Sequence, residues 1–419
     1  MADVISFRKR FLHTLLPLES RRTIAMLTGA RQTGKTTLAK LQYPKLPYLN
    51  LDSMEIREKM QQIPTAAWAA SIGKAVIDEA QKEPAIFEKI KYAYDAREID
   101  FSVLLGSSQI TLLKSIRESL AGRVSIYELY PLMMAEIYTT PDRELLPPLV
   151  DRILHGELIS KVLASVPAVL LDKEEMNRVN AQTYLLQWGG MPELLTLSND
   201  DKQRWIKDYE YTYLERDLSD LVRLNDLQPF RTFQKLAALR TGCLLNYSEL
   251  ARDSAVSVDT ARRYLEYLRL SYQVILLQPY FRNLTSAVIK TPKIYWLDIG
   301  ILRYLTGLTS GLTGELFETM VVSELFKYIK TMQHNVELFF YRTRAGLEVD
   351  LIIQFPQGII GIEIKSRSSI STKDMTALKE ISAQAKNQWL GGLVIYNGTE
   401  IKKIGDPHIW AVPGWRLFL

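Results

Sequence analysis

Residues Gly29-Ala30-Arg31-Gln32-Thr33-Gly34-Lys35-Thr36-Thr37 place two glycines, a lysine and a hydroxyl at the spacing G-x-x-x-x-G-K-[ST]. A loop of this composition grips polyphosphate. Its main-chain N–H groups converge on an anion, reinforced by the positive end of the helix that follows. Gly29 and Gly34 permit backbone angles and a close approach that a Cβ would forbid. Lys35 brings a point charge to the β- and γ-phosphates, and Thr36 offers its hydroxyl to Mg²⁺. The spacing therefore predicts ATP as ligand, Mg²⁺ as cofactor, and residues 29–37 as the nucleotide cradle. A chance glycine turn is the bland alternative, but the flanks oppose it. Thr23 to Leu27 reads as a buried strand and Thr37 to Leu41 as the opening of a helix.

A second constellation lies at Lys74-Ala75-Val76-Ile77-Asp78-Glu79-Ala80, an apolar strand ending in two carboxylates. In phosphate-loop ATPases such a strand is expected beside the loop strand, with its first acid, Asp78, holding Mg²⁺ through water. The second acid, Glu79, polarises the attacking water as a general base. A strand that merely ends in solvated acids is the competing reading. The run from Asp100 to Gln109 predicts another buried strand, whose polar end offers Ser107, Ser108 and Gln109 either as γ-phosphate sensors or as an ordinary helix cap. Arg123, which opens the strand Val124 to Leu129, fits a finger acting on a neighbouring subunit and equally a structural arginine.

The third constellation is far downstream. Glu363-Ile364-Lys365 alternates on a strand, so the carboxylate and the ammonium share one face. Asp350 on the preceding strand and Glu318 on an amphipathic helix can reach it. Two carboxylates hold a divalent metal through oxygen, and a lysine beside them can lower the pKa of metal-bound water or stabilise developing phosphorane charge. A salt-bridged structural cluster is the alternative. Arg342 and Arg344 precede the aspartate and could hold a phosphate backbone.

These groups need several bodies to position them. With 419 residues, 47% hydrophobic and 24% charged, the chain is expected to form two or three soluble globular domains. No apolar run reaches the roughly 18–20 residues that span a bilayer, and no leader is expected in the first residues. A single cysteine, Cys243, rules out an intramolecular disulfide and predicts a cytoplasmic setting. The net charge of +5 permits contact with nucleic acid without demanding it. Residues up to about 22 are expected to form a helix, with Phe7, Phe11, Leu15 and Leu16 at helical spacing, beside the nucleotide base. From Tyr130 to about Asp220 the pattern is helical, interrupted by the turn Trp188-Gly189-Gly190-Met191-Pro192. Between 227 and 283 a helix over Asn246 to Arg252, a turn, a second helix over Thr260 to Leu268 and a strand from Val274 to Phe281 read as a winged helix-turn-helix. Its Thr260, Arg262 and Arg263 either face DNA or ride on a packing lid.

The phosphate loop, Val-Ile-Asp-Glu-Ala-Gln, Leu-Gly-Ser-Ser and Ser-Leu-Ala-Gly-Arg together resemble a prokaryotic group of AAA-type ATPases joined to a C-terminal restriction-endonuclease-like domain. Glu-Ala-Gln and Gly-Ala-Arg depart slightly from the group's commoner Glu-Ile-Gln and Gly-Pro-Arg. The resemblance implies an α/β protein in four parts: an AAA-like core over 1–140 with a parallel sheet, a helical extension over 141–225, a winged helix over 226–290, and a PD-(D/E)xK nuclease-like α/β domain over 291–419. In the last, Asp350, Glu363 and Lys365 fall at the motif positions and Glu318 at the helix position. The joining of a nucleotide site and a nuclease-like site in one chain makes DNA an expected partner, and a homo-oligomer is expected. Arg216 resembles a recurrent arginine of the group, a second sensor, an interface residue or a solvated side chain.

Overall fold

The computed structural model describes residues 7–106, 120–140, 143–170, 173–221, 227–280, 291–405 and 408–419, the side chains of 173 and 213–221 excepted. Ser107, Ser108, Gln109 and the side chain of Arg216 therefore lie outside the described residues.

Five short apolar runs form the first sheet: β1 (Thr23–Thr28), β2 (Tyr48–Asn50), β3 (Val76–Asp78), β4 (Phe101–Gly106) and β5 (Val124–Glu128). All pairings are parallel, in the order β2-β3-β4-β1-β5. Parallel strands require crossovers that cover both faces, so the central strands carry no polar alternation. Every residue of β1 and β4 is buried. Ile24, Met26, Ile77 and Leu104 pack with Trp68, Phe87 and Ile90 on one side. Ala25, Leu27, Val76, Val103 and Leu105 pack with Leu38 and Tyr43 on the other. One expectation is corrected here. The acidic strand β3 is not the neighbour of the loop strand β1, because β4 pairs with both and lies between them.

The N-terminal helix is a second correction. Among the described residues before β1 there is only a 3₁₀ turn, Phe11–Thr14. Pro17 disfavours helical geometry at the residue before it, and the apolar spacing serves a different packing. Phe11 meets the Tyr328 ring edge-on, 5.2 Å between centroids, rather than a nucleotide base.

The segment after β5 is helical, including Leu149–Leu154, Lys173–Trp188 and Asn199–Leu221. Three further helices, Gln228–Ala238, Tyr247–Asp253 and Val258–Leu270, precede an antiparallel pair, β6 (Val274–Pro279) and β7 (Lys293–Trp296). The long helix Gly314–Met332 leads to β8 (Glu337–Arg342), β9 (Glu348–Phe355), β10 (Gly358–Lys365), β11 (Trp389–Tyr396), β12 (Lys402–Gly405) and β13 (Ile409–Pro413). Strand β6 also pairs with β8 through Gln278 and Pro279, so one eight-stranded sheet runs β12-β13-β11-β10-β9-β8-β6-β7. The strand that the sequence assigns as a wing, Val274 to Phe281, is thus joined with β7 to the edge of the C-terminal sheet.

The Gly189-Gly190 turn is the joint of the molecule. The Gly190 N–H donates to Asp298 Oδ2 at 2.8 Å, and its carbonyl accepts the Leu132 N–H at 2.7 Å. A Cβ at Gly190 would sit 2.2 Å from the Leu132 oxygen, so only glycine fits. Nearby, buried Glu324 accepts the Met134 N–H at 2.7 Å and pairs with Lys327 at 2.5 Å. The helix Gly314–Met332 is thereby tied to the end of the first sheet.

Candidate functional site

The phosphate loop joins β1 to the helix Lys35–Gln42. Gly34 takes the helix cap with φ +96°, and Gly29 is forced by close packing, since a Cβ there would lie 2.1 Å from the Leu129 oxygen. Lys35 Nζ donates to the carbonyls of Gly29 and Ala30 at 2.9 and 2.7 Å. Both of these acceptors are neutral members of its own loop. Thr33 is buried and donates its hydroxyl to the Ala30 oxygen at 2.9 Å, closing the turn. Gln32 and Thr37 are exposed, while Arg31, Gly34 and Thr36 are half-buried.

Although β3 is two strands away from β1, its end reaches the loop. Thr36 Oγ1 donates to Asp78 Oδ2 at 2.6 Å, and the Tyr48 hydroxyl donates to the same oxygen at 2.7 Å. Burial and the Asp78 contact push the Tyr48 phenol above its ordinary pKa. The Glu79 N–H donates to Asp78 Oδ1 at 2.9 Å, and Glu79 sits in the left-handed region at φ +54°. That conformation is strained for a non-glycine residue and is held by its surroundings. The Gln81 amide donates to the Glu79 carboxylate. A hydroxyl and a carboxylate oxygen in contact, beside the lysine, are the hard oxygen donors Mg²⁺ prefers.

The rear of the loop is supported by residues that the sequence reading missed. Buried Arg10 donates to the Thr33 oxygen at 2.9 Å and pairs with Glu136 at 3.1 Å. The Tyr272 hydroxyl donates to Glu128 at 3.0 Å and to Thr28 Oγ1 at 3.3 Å, and the Tyr209 hydroxyl to the Arg31 oxygen at 3.4 Å. Arg10 was legible only as one charge among several near the start of the chain. Tyr48 had a signal, since it lies on the strand beside the acid. Arg123 faces Asp95 of its own chain through two hydrogen bonds of 2.6 and 2.9 Å.

The helix Val258–Leu270 starts at Ser257, whose hydroxyl accepts the Thr260 N–H. Arg262 and Arg263 are exposed. Arg262 lies 5.2 Å from the Tyr247 ring centroid, and Arg263 donates to Thr260 Oγ1 at 3.2 Å.

The third constellation assembles as a charged cluster. Lys365 pairs with Glu363 at 2.7 Å and with Asp350 at 3.6 Å, and Asp350 Oδ2 accepts the Ile364 N–H at 2.8 Å. Glu318 meets other partners. It accepts the Tyr295 hydroxyl at 2.5 Å and lies 3.4 Å from Lys293, which also pairs with Glu348 at 2.5 Å. Arg342 pairs with Glu348 at 3.2 Å, and Arg344 is exposed. Burial first, then Asp350, pushes Glu318 up to about 7 and Glu363 up to about 8. Burial pulls Lys293 and Lys365 down, but their carboxylate neighbours outweigh it and leave both ammonium groups above their ordinary value. Lys293, Tyr295 and Glu348 escaped the sequence reading. They look like ordinary strand ends until β7 is seen beside the helix that carries Glu318.

Comparison with known proteins follows the same division. Residues 21–138 match an AAA domain family, and residues 180–311 and 313–417 match two families described as domains of unknown function. Over 394 residues the chain is 30% identical to the uncharacterized protein Rv2008c of Mycobacterium tuberculosis and, equally, to the uncharacterized protein Mb2031c of Mycobacterium bovis. Each alignment covers 90% of this chain and 77% of the relative. Among solved structures it is similar to the Walker-type ATPase PABY2304 of Pyrococcus abyssi, at 16% identity and a TM-score of 0.41, covering 70% of this chain and 94% of that one. The signal transduction ATPase PH0952 of Pyrococcus horikoshii follows at 12% identity and 0.25, covering 78% and 47%. On the sequence relatives and the AAA match, this chain belongs to one family with the two mycobacterial proteins, and its N-terminal part is a nucleotide-binding AAA-type ATPase domain.

Proposed function

We propose that the chain hydrolyses ATP with Mg²⁺ and couples the cycle to DNA. The observation that carries the reading is the contact of Thr36 with Asp78 beside Lys35, which brings an acid 42 residues downstream into the phosphate loop. Thr36 and Asp78 would hold Mg²⁺. Bound there, the ion would neutralise charge that develops on the phosphates. Lys35 exchanges the Gly29 and Ala30 carbonyls for phosphate oxygens, which make charge-assisted hydrogen bonds with its ammonium. Glu79, steadied by Gln81, accepts a hydrogen bond from the attacking water and orients it. Catalysis is then positioning and electrostatic stabilisation by a pre-arranged loop.

The four-part division stated above, a homo-oligomer with Arg123 or Arg216 acting across its interface, and a cytoplasmic location belong to the same proposal. DNA contact is supported by exposed Arg262 and Arg263 on the helix after the turn, in the winged-helix reading. The succession of the helix bearing Glu318, the strands bearing Asp350 and Glu363, a helix and a parallel strand supports the nuclease-like reading of the C-terminal part. There Asp350 and Glu363 would hold a divalent ion, with Lys365 as the charge at the scissile phosphate.

The test is ATP hydrolysis with and without DNA, for the wild type and Lys35→Ala. The expected result is DNA-stimulated hydrolysis that Lys35→Ala abolishes; hydrolysis indifferent to Lys35 would overturn the site. A second reading is a nucleotide-controlled assembly whose C-terminal part grips a partner without cutting. It is favoured by Lys293, whose ammonium already pairs with two carboxylates of the cluster. DNA cleavage in Mn²⁺ that disappears in Asp350→Ala would eliminate it.

A further inference from the structure

A separate polar cluster lies where the helix Leu149–Leu154 meets the end of the helix Gly314–Met332. Asp151 sits in the first turn of the shorter helix, and His155 follows one turn later at its C-terminal cap. Residues four apart share a helix face. Gln333 ends the longer helix in the left-handed region, at φ +55°, and the His334 N–H returns to the Ile329 oxygen. This turn lays the His334 imidazole back against the helix and toward Asp151.

His334 Nε2 lies 3.2 Å from Asp151 Oδ1, and His155 Nδ1 lies 3.3 Å from Asp151 Oδ2. The two imidazoles stand edge to face with centroids 4.8 Å apart. The His334 side chain is 6% exposed, yet its Nε2 has no hydrogen-bond partner of acceptable geometry. A buried ring nitrogen aimed at a carboxylate and a second imidazole, without a hydrogen bond of its own, has a lone pair to give. One ligand atom from each of Asp151, His155 and His334 lies within 4.8 Å of the others; among the described residues no other group of three or more potential ligands is so grouped.

We infer that Asp151, His155 and His334 form a zinc-type metal site that staples the helix following the ATPase sheet to the C-terminal helix. Two imidazole nitrogens and one carboxylate oxygen are ligands that zinc takes at about 2.0–2.2 Å, with a fourth position left for water. Ligand atoms around such an ion stand about 3.4 Å apart by tetrahedral geometry. Each imidazole already stands near this spacing from one of the two Asp151 oxygens, His334 Nε2 3.2 Å from Oδ1 and His155 Nδ1 3.3 Å from Oδ2. His155, 63% exposed, also holds the Asp151 main-chain oxygen at 2.9 Å through Nδ1, a contact that it must give up to bind an ion. Supporting contacts of the expected kind are present. The Tyr328 hydroxyl donates to Asp151 Oδ1 at 2.8 Å, and its ring stacks on His334. Such groups orient metal ligands. The site is distant in chemistry from the oxygen-only cradle of Thr36 and Asp78, so it and the nucleotide reading stand or fall separately.

The test uses the untagged full-length chain, stripped with EDTA and titrated calorimetrically with Zn²⁺. Wild type is expected to bind one ion that His155→Ala and Asp151→Asn each weaken at least about 10-fold. Co²⁺ should give visible ligand-field bands in the wild type that both variants lose. His155 is exposed, so its replacement leaves the fold intact, and Lys35→Ala should leave Zn²⁺ binding unchanged. Equal Zn²⁺ binding by wild type and His155→Ala, or no binding by the wild type, would reduce the cluster to a histidine–aspartate network and overturn the inference.

Discussion

Two lysine-centred sites in this chain are built on opposite electrostatic plans. In the N-terminal cradle, Lys35 rests on two neutral main-chain carbonyls. In the C-terminal cluster, Lys293 and Lys365 are each held by two carboxylates. In the first site the ammonium donates to two carbonyl dipoles of its own loop, and a polyphosphate can take the place of those carbonyls. The second pair of charges is already matched, so an incoming phosphate or metal ion must compete with existing ion pairs. A cation held by dipoles is arranged to receive an anion; a cation held by anions is arranged to keep its neighbours in place.

The largest expected effect separates the two plans by stability. Lys293→Met removes a buried cation, leaving Glu318 with the Tyr295 hydroxyl and Glu348 with Arg342 alone, which should lower unfolding free energy by about 3–5 kcal/mol. Lys35→Met loses hydrogen bonds to neutral partners and should lower it by no more than about 1–3 kcal/mol. Urea melts of the two variants check the contrast, and equal losses would erase it. Next in size is activity. Lys35→Ala and Glu79→Gln should each reduce ATP turnover by about 10²–10³-fold, whereas Lys365→Ala should leave it within about twofold. A turnover loss in Lys365→Ala like that in Lys35→Ala would mean that the sites are one machine.

A smaller effect is the pH dependence. Glu318 and Glu363, at about 7 and about 8, both lie above the ordinary value of 4.5. The folded state therefore binds more protons than the unfolded chain across that window, and stability falls as pH rises from about 4.5 to 8. Glu363→Gln should flatten the fall, as read from urea midpoints at pH 5 and pH 8. A stability that rises through the same range in the wild type would contradict the cluster's electrostatics. The smallest expected change is at the joint. Gly190→Ala forces a Cβ onto the Leu132 oxygen and should lower stability by about 1–3 kcal/mol while leaving nucleotide affinity unchanged; a thermal melt and a nucleotide titration check both halves.

Much of this was written locally. The phosphate loop needs nine adjacent residues, and their types suffice because glycine angles, helix polarity and one lysine act over a single turn. The buried strands were legible as apolar runs, and Asp350 and Glu363 lie on strands, β9 and β10, as expected. The E-x-K alternation placed Glu363 and Lys365 together because strand geometry repeats every two residues. Even the Gly189-Gly190 turn was visible as a turn, although its reason was not.

What only the tertiary structure decided were the meetings of distant segments. Nothing local places β4 between the loop strand and the acidic strand, or makes the β6 and β7 hairpin an edge of the C-terminal sheet. Lys293 becomes a partner of Glu318 only through that edge, and His334 reaches Asp151 only because two helices far apart in sequence, Leu149–Leu154 and Gly314–Met332, pack together. Spacing along a chain encodes the repeat of one helix or strand. Contacts between elements depend on which buried faces pair, and that choice is made by the packing of the whole molecule.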